Sequence, residues 1–308
     1  MKNMDIAGRL KETLAEIGFE CIGATIFENS NLDNYSCFKG SFDGCQHTLY
    51  NLKVKKEINV SDKYSGVALF TVNKGTIENL ILENINVNVS FSSEINKYAA
   101  SGSISAINHG IIDKCFVQGN ITNNISFNVN SGGICGSNGA EITNCISQVN
   151  IYNYLNNNKI IAYRIGGISG ANEKNGKIEN SYNCGNNNIM SNSSTSSTGY
   201  VGGIAGLNLN KVNKVYSIGK IIRSEKLNNF YLGGTIGKSN TNQNKNLYYL
   251  EEIFNVTEHD KVFNEDTVLT KAELKDTKLI EILNENNSGI WKSDKNNINE
   301  GYPILFWQ

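Results

Sequence analysis

Five carboxylates, Asp43, Glu78, Asp113, Glu141 and Glu179, lie beside short apolar steps that recur along this 308-residue chain. Glu78, Asp113 and Glu179 each follow directly on the first apolar residue of a step, Ile77, Ile112 and Ile178. In a coiled repeat they therefore share one outward column. Clustered carboxylates on one face can cleave a polysaccharide, one acting as acid and the other as base or nucleophile. The same column could bind a cation or a sugar. Thr143 and Asn213 interrupt it, and a solvated acidic face is the plainer reading. Asp43-Gly44 reads as a turn. His47, His109 and His259 are scattered and none precedes Glu, so the His-Glu-x-x-His pair of a zinc peptidase is missing. The phosphate-loop pattern Gly-x-x-x-x-Gly-Lys-Ser/Thr is missing too. A serine nucleophile cannot be argued without a placed His and acid. The seven cysteines show neither framework nor metal-ligand spacing. No catalytic residue, metal or cofactor is therefore assigned.

The elements that would position these groups come from a repeat. Gly-Gly-Ile-x-Gly occurs at Gly132–Gly136, Gly166–Gly170 and Gly202–Gly206, with a looser copy at Gly233–Gly237 and weaker ones at Gly102–Ala106 and Gly66–Thr71. Each copy is followed by an apolar-x-x-apolar step. The steps end at Leu52, Leu80, Cys115, Cys145, Ser181, Val215 and Leu247, spaced 28 to 36 residues apart. A constant motif with an uneven period means a fixed coil carrying loops of variable length. The segments between Gly and Asn are short and alternating, too short for helices. The expected fold is all-β, a parallel β-solenoid of about seven turns, right-handed by the rule for parallel crossovers. The Gly pairs mark corners pressed against the next coil, where a Cβ has no room. Asn73, Asn108, Asn138, Asn172 and Asn208 follow the Gly phrases and are placed to form an amide ladder between turns. Cys115 and Cys145 share the column of Leu52, Leu80, Ser181 and Val215, and Cys135 stands where Ser169 and Ala205 stand, so all three read as packing residues.

Composition limits the partners. Net charge is −1 and no basic stripe stands out, which argues against nucleic acid. No apolar run approaches the roughly 20 residues of a membrane span. Asn is abundant and suits left-handed turns, although drift in an AT-rich genome would produce the same enrichment. The start, Met1-Lys2-Asn3-Met4-Asp5-Ile6, lacks a leader pattern.

Loop length varies between each apolar step and the next Gly pair: 90–100, 121–131, 152–165, 186–200 and 223–232. All fall at one phase of the coil, so they should emerge on one side, and such insertions often mark a binding face. The candidate ligand-binding residues are the aromatics there, Phe91, Tyr98, Tyr152, Tyr154, Tyr200 and Phe230, together with Phe127. They either stack on sugar rings or fold back as lids on the core.

The ends must cap the stack. Residues 1–37 read as an N-terminal cap with an amphipathic helix at 5–17, residues 38–250 as the repeats and residues 251–308 as a C-terminal cap. In that last part, Thr270 and Glu273 form a capping box for a helix with Leu274, Leu279, Ile282 and Leu283 on its apolar face. The aromatic close, Trp291 to Trp307, should cover the last turn.

With these motifs in place, the chain resembles the GLUG-motif repeats of bacterial surface proteins. The resemblance lies in Gly-Gly-Ile-x-Gly-x-Asn with its Ile-x-Asn-Cys/Ser-Tyr step. It extends to Phe38–Leu49, similar to the entry segment that precedes such repeats, and to the closing Gly301-Tyr302-Pro303-Ile304-Leu305. It covers roughly residues 20–308. It implies a parallel β-solenoid at a bacterial cell surface and no catalysis. With no leader visible, cytoplasmic retention or non-classical export stays open. Three functions follow: an adhesin-like module binding a glycan or a host or bacterial surface protein, a carbohydrate-active β-helix enzyme, or a structural spacer.

Overall fold

The computed structural model describes residues 21–23, 26–27, 36–59, 64–92, 98–156, 162–191, 197–225, 227, 229–285 and 289–308. The chain is a β-solenoid. Each full turn places strands in three parallel sheets. One turn, for example, gives Val129–Gly132 to an eight-stranded sheet and Cys135–Asn138 to a six-stranded sheet, then Glu141–Thr143 and Ile146–Leu155 to a fifteen-stranded sheet. The six strands of the six-stranded sheet count six full turns, and partial turns extend the stack at both ends. The predicted helix at 5–17 lies outside the described residues.

The repeat phrases stack in register, Gly132 beside Gly166, Gly166 beside Gly202 and Gly202 beside Gly233. Their role is close approach. A Cβ on Gly133 would sit 2.2 Å from the Gly167 carbonyl oxygen and 2.2 Å from Ser147 Oγ. Left-handed geometry is used elsewhere. The second x of each apolar-x-x-apolar step has positive φ: Asn51, Asn79, Lys114, Asn144, Asn180, Lys214 and Asn246. This residue turns the chain between the two apolar side chains, both of which point inward. Asn tolerates the conformation better than most residues, which accounts for its presence at five of these seven positions.

Aliphatic columns fill the interior, including Ile77, Ile112, Ile142, Ile178 and Val212, all fully buried. The expected amide ladder is present. Asn73 Nδ2 donates to Asn108 Oδ1 at 2.8 Å, and the series continues through Asn138 and Asn172 to Asn208. A sixth rung comes from Asn244, which accepts from Asn208 at 2.8 Å. Cys115, Cys135 and Cys145 are buried packing residues, as their columns indicate. Burial pushes the thiols of Cys135 and Cys145 well up, so both stay protonated.

Two expectations about the C-terminal part need correction. The single helix is two short ones, Lys271–Leu274 and Thr277–Leu283, because Asp276 starts a second N-cap by accepting from Lys278 N. The Thr270–Glu273 capping box is present; Leu274, Leu279 and Leu283 are buried, but Ile282 is 42% exposed. The aromatic tail, moreover, does not cover the last turn. It folds back along the outer face of the fifteen-stranded sheet, where Ile146, Tyr182, Tyr216 and Tyr248 form an apolar column. Trp291 packs on Tyr182 and Tyr216, and Trp307 Nε1 donates to Asn144 O at 3.0 Å. The tail therefore straps several turns together sideways.

Candidate ligand-binding groove

The predicted acidic column forms, and three of its four carboxylates, Asp43, Asp113 and Glu179, already have partners. Asp43, Glu78, Asp113, Thr143, Glu179 and Asn213 lie side by side on successive turns. Asp113 Oδ1 accepts from Thr143 Oγ1 at 2.8 Å and Asn144 Nδ2 at 2.7 Å. Glu179 is clamped between Lys177 and Lys211, each 2.8 Å away, and accepts from Asn213. Burial pushes the Glu179 carboxyl up, but these three donors outweigh it and hold the group at about 2. Asp43 accepts from Asn79 Nδ2 and from Cys45 N, as a turn residue would. A cation or sugar would have to displace these partners. Among the described residues no group of three His, Cys, Asp or Glu is placed to hold a metal.

The six aromatic candidates separate into three places. Phe91 and Phe230 are core residues, each 1% exposed, which removes them as ligand-stacking candidates and leaves them the core role. Phe127 joins them, its ring edge-on to Phe91 at 6.0 Å. The physical reason is that much of what reads as loop is strand. Ile81–Ser92, Phe116–Ile125 and Ile146–Leu155 extend the fifteen-stranded sheet, and their alternate side chains point inward. Tyr152 and Tyr154 lie on the outer side of the third of these strands, and Tyr154 is 40% exposed. Tyr98 and Tyr200 lie elsewhere, on the outer side of the eight-stranded sheet.

That outer side carries a column that sequence reading missed. Two residues before each Gly pair stand Asn130, Arg164, Tyr200 and Tyr231, adjacent on successive turns, with Lys261 next in register. The positions were legible as a constant offset from the Gly phrase, but the residue types differ from turn to turn. The six-stranded sheet runs so close that a Cβ on Gly170 would sit 2.5 Å from Ser131 N and 2.8 Å from Arg164 O. Its own outer column, Ile107, Ser137, Ala171, Leu207 and Lys238, faces the first across an elbow. Asn130 Nδ2 bridges the two columns to Ser137 Oγ at 2.7 Å.

The elbow forms a groove of about 320 Å³, lined by Tyr64, Tyr98, Ile107, Arg164, Glu173 and Leu207 among others. Arg164 is its central polar group. It donates to Asn130 Oδ1 at 3.0 Å and to the Tyr98 hydroxyl at 3.1 Å, and it lies over the Tyr98 ring at 4.8 Å. Its Nε is buried without a hydrogen-bond partner. Beyond it, Tyr200 and Tyr231 stack at 5.0 Å and 13°. Lys238 sits 4.5 Å from the Tyr231 ring centre and Lys261 at 5.0 Å. Hydrogen bonding from Lys261 draws the Tyr231 hydroxyl below the usual phenol range. Glu173 is the one carboxylate among the groove's lining residues; burial raises it, and the charge on Arg164 offsets part of that rise. Rings, a guanidinium and a few amides beside apolar floor residues suit a polar ligand with flat faces.

No protein-family model and no curated protein sequence matches the chain. The fold is similar to a crystal structure described as a putative immunoglobulin A1 protease from Bacteroides ovatus. The two share 20% sequence identity with a TM-score of 0.57, over 87% of this chain and 77% of that one. At that identity the likeness speaks to the solenoid fold alone.

Proposed function

We propose that this chain is a non-enzymatic binding module whose ligand is a glycan lying along the groove. The observation that carries the reading is the column of Arg164, Tyr200 and Tyr231 on three successive turns, with Tyr98 against Arg164, which turns aromatic faces and donors outward. Its turns repeat at about 4.8 Å, so a chain-like ligand can meet several of them in sequence. The resemblance to GLUG-motif repeats supports a place at a bacterial surface. A glycan array tests the proposal. Wild-type protein should bind a defined subset, and Tyr98→Ala with Tyr200→Ala should lose it. A blank array, or binding unchanged in the double variant, would sink the reading. Cleavage of immunoglobulin A1 by the purified chain would overturn its non-enzymatic part.

One observation favours a second reading, a carbohydrate-active enzyme: Glu173 lies in the groove with a raised carboxyl, as a general acid requires. A glycosidase also needs a second carboxylate across the scissile bond. The groove's described lining supplies Glu173 alone. Release of new reducing ends from a polysaccharide panel would establish this alternative.

A further inference from the structure

The two columns of the elbow carry three cations, Arg164 and Lys261 on one and Lys238 on the other, whose placement differs from that of the ion-paired cations in the fold. Lys177 and Lys211 grip Glu179, and Arg223 grips Asp260 at 2.7 Å. Among the described residues Arg164, Lys238 and Lys261 form no ion pair within 4.0 Å. Each instead lies over a tyrosine ring on the same face. A cation held on a ring keeps its outward side open to an anion, because the ring's quadrupole does not neutralise its charge. Arg164 also keeps a buried Nε–H without a partner beside the groove.

We infer that the groove selects acidic saccharides, with sugar rings on Tyr98, Tyr200 and Tyr231 and their anionic substituents on Arg164, Lys238 and Lys261. This deepens the glycan reading and rests on it. The spacing fits: Arg164, Tyr200, Tyr231 and Lys261 occupy four consecutive turns, and Lys238 faces Tyr231 from the other side of the elbow. Two stacked rings thus lie between Arg164 and Lys261 along one column, with Lys238 beside them on the facing column. A neutral saccharide would use the rings and leave Lys238 and Lys261 without a carboxylate partner and Arg164 with Glu173 alone near it. A carboxylated or a sulfated saccharide would satisfy both, and the guanidinium suits either anion.

The test is titration calorimetry with the full chain against three size-matched probes: an oligogalacturonate, a sulfated oligosaccharide and a neutral oligoglucoside. At least one acidic probe should bind about tenfold tighter than the neutral one or better, as expected for a charge-assisted hydrogen bond. That preference should shrink as salt rises. Which acidic probe wins identifies the anion. Lys238→Gln with Lys261→Gln should bring the acidic probe down towards the neutral affinity; Lys261 is exposed and Lys238 half-buried, so a thermal midpoint within a few degrees of wild type confirms that the variant is folded. Equal binding of acidic and neutral probes would overturn this inference and leave the glycan reading intact. Binding of none of the three would count against both, and the glycan array then decides whether the broader reading survives.

Discussion

Two outward columns run along the same solenoid, and their cations are used in opposite ways. In the acidic column Lys177 and Lys211 close on Glu179, so charges on neighbouring turns neutralise one another. Along the elbow Arg164, Lys238 and Lys261 lie over tyrosine rings and form no ion pair within 4.0 Å among the described residues, although the charge on Arg164 reaches Glu173. The first arrangement ties turn to turn. The second leaves charge available to something outside the fold. An outward charged column in a repeat protein is thus a candidate site only where its neighbours in register do not already satisfy it.

If paired cations serve stability and ring-held cations serve binding, removing a buried pairing partner should be the most damaging change. Asp260 is that partner. Its side chain is fully buried, accepts from Arg223 at 2.8 and 2.7 Å, and also holds Thr257 N and Phe230 N. Asp260→Ala leaves a guanidinium unpaired and should cost about 3–5 kcal/mol. Urea unfolding would show the loss as a lower midpoint. A loss below about 1 kcal/mol would mean that pairing is not what distinguishes the two kinds of cation.

A neutral column separates burial from charge. Asn138 is fully buried in the amide ladder, donating to Asn172 and accepting from Asn108. Asn138→Ala orphans groups on both neighbours and should cost about 2–3 kcal/mol. Asn244, at the half-buried end of the ladder, can be replaced there by water, so Asn244→Ala should cost about 0.5 kcal/mol. Equal losses from the two variants would argue that the ladder's strength does not come from burial.

The ladder was legible because Asn108, Asn138, Asn172 and Asn208 recur at one offset from the Gly phrase and serve one purpose. Its last rung was not, because Ser239 holds that register position and Asn244 reaches in from five residues further along the same turn. The same distinction accounts for the groove. Fold-defining positions repeat their residue type, whereas the position two before each Gly pair reads Ala100, Asn130, Arg164, Tyr200 and Tyr231. A search for repetition passes over it. Phe91 and Phe230 belong to the core because the strands run on through segments whose sequence shows only a variable stretch between motifs. The tail was legible as apolar cover, but its place depended on the outward column of Tyr182, Tyr216 and Tyr248 that it covers.

The acidic column has a pH signature of its own. Glu179 sits at about 2 in the folded chain, below its ordinary value of 4.5. Folding therefore gains from its ionised form above the unfolded value, and that gain is lost as pH falls from about 4.5 to about 2. Lys177 and Lys211 are about one-third exposed, so solvent screens the pair and the gain is about 1 kcal/mol. Glu179→Gln should lower stability by that amount at pH 7 and flatten the decline below pH 4.5, read from thermal midpoints across pH. An unchanged decline would place the acid sensitivity elsewhere.

The smallest expected effect on stability is the most informative. Lys238 touches the rings of Tyr231 and Tyr200 at 4.5 and 5.6 Å, and no carboxylate pairs with it among the described residues. If its charge is held for a ligand, Lys238→Gln should move stability by less than about 0.5 kcal/mol while reducing affinity for an acidic saccharide. Lys211→Gln, on the acidic column, should do the reverse: a measurable loss of stability and no change in binding. The pair forms a crossed experiment. If Lys238→Gln destabilises as much as Lys211→Gln, the stack of Lys238, Tyr231 and Lys261 ties the turns together as the acidic column does, and the groove loses its claim to be the face turned outward for a partner.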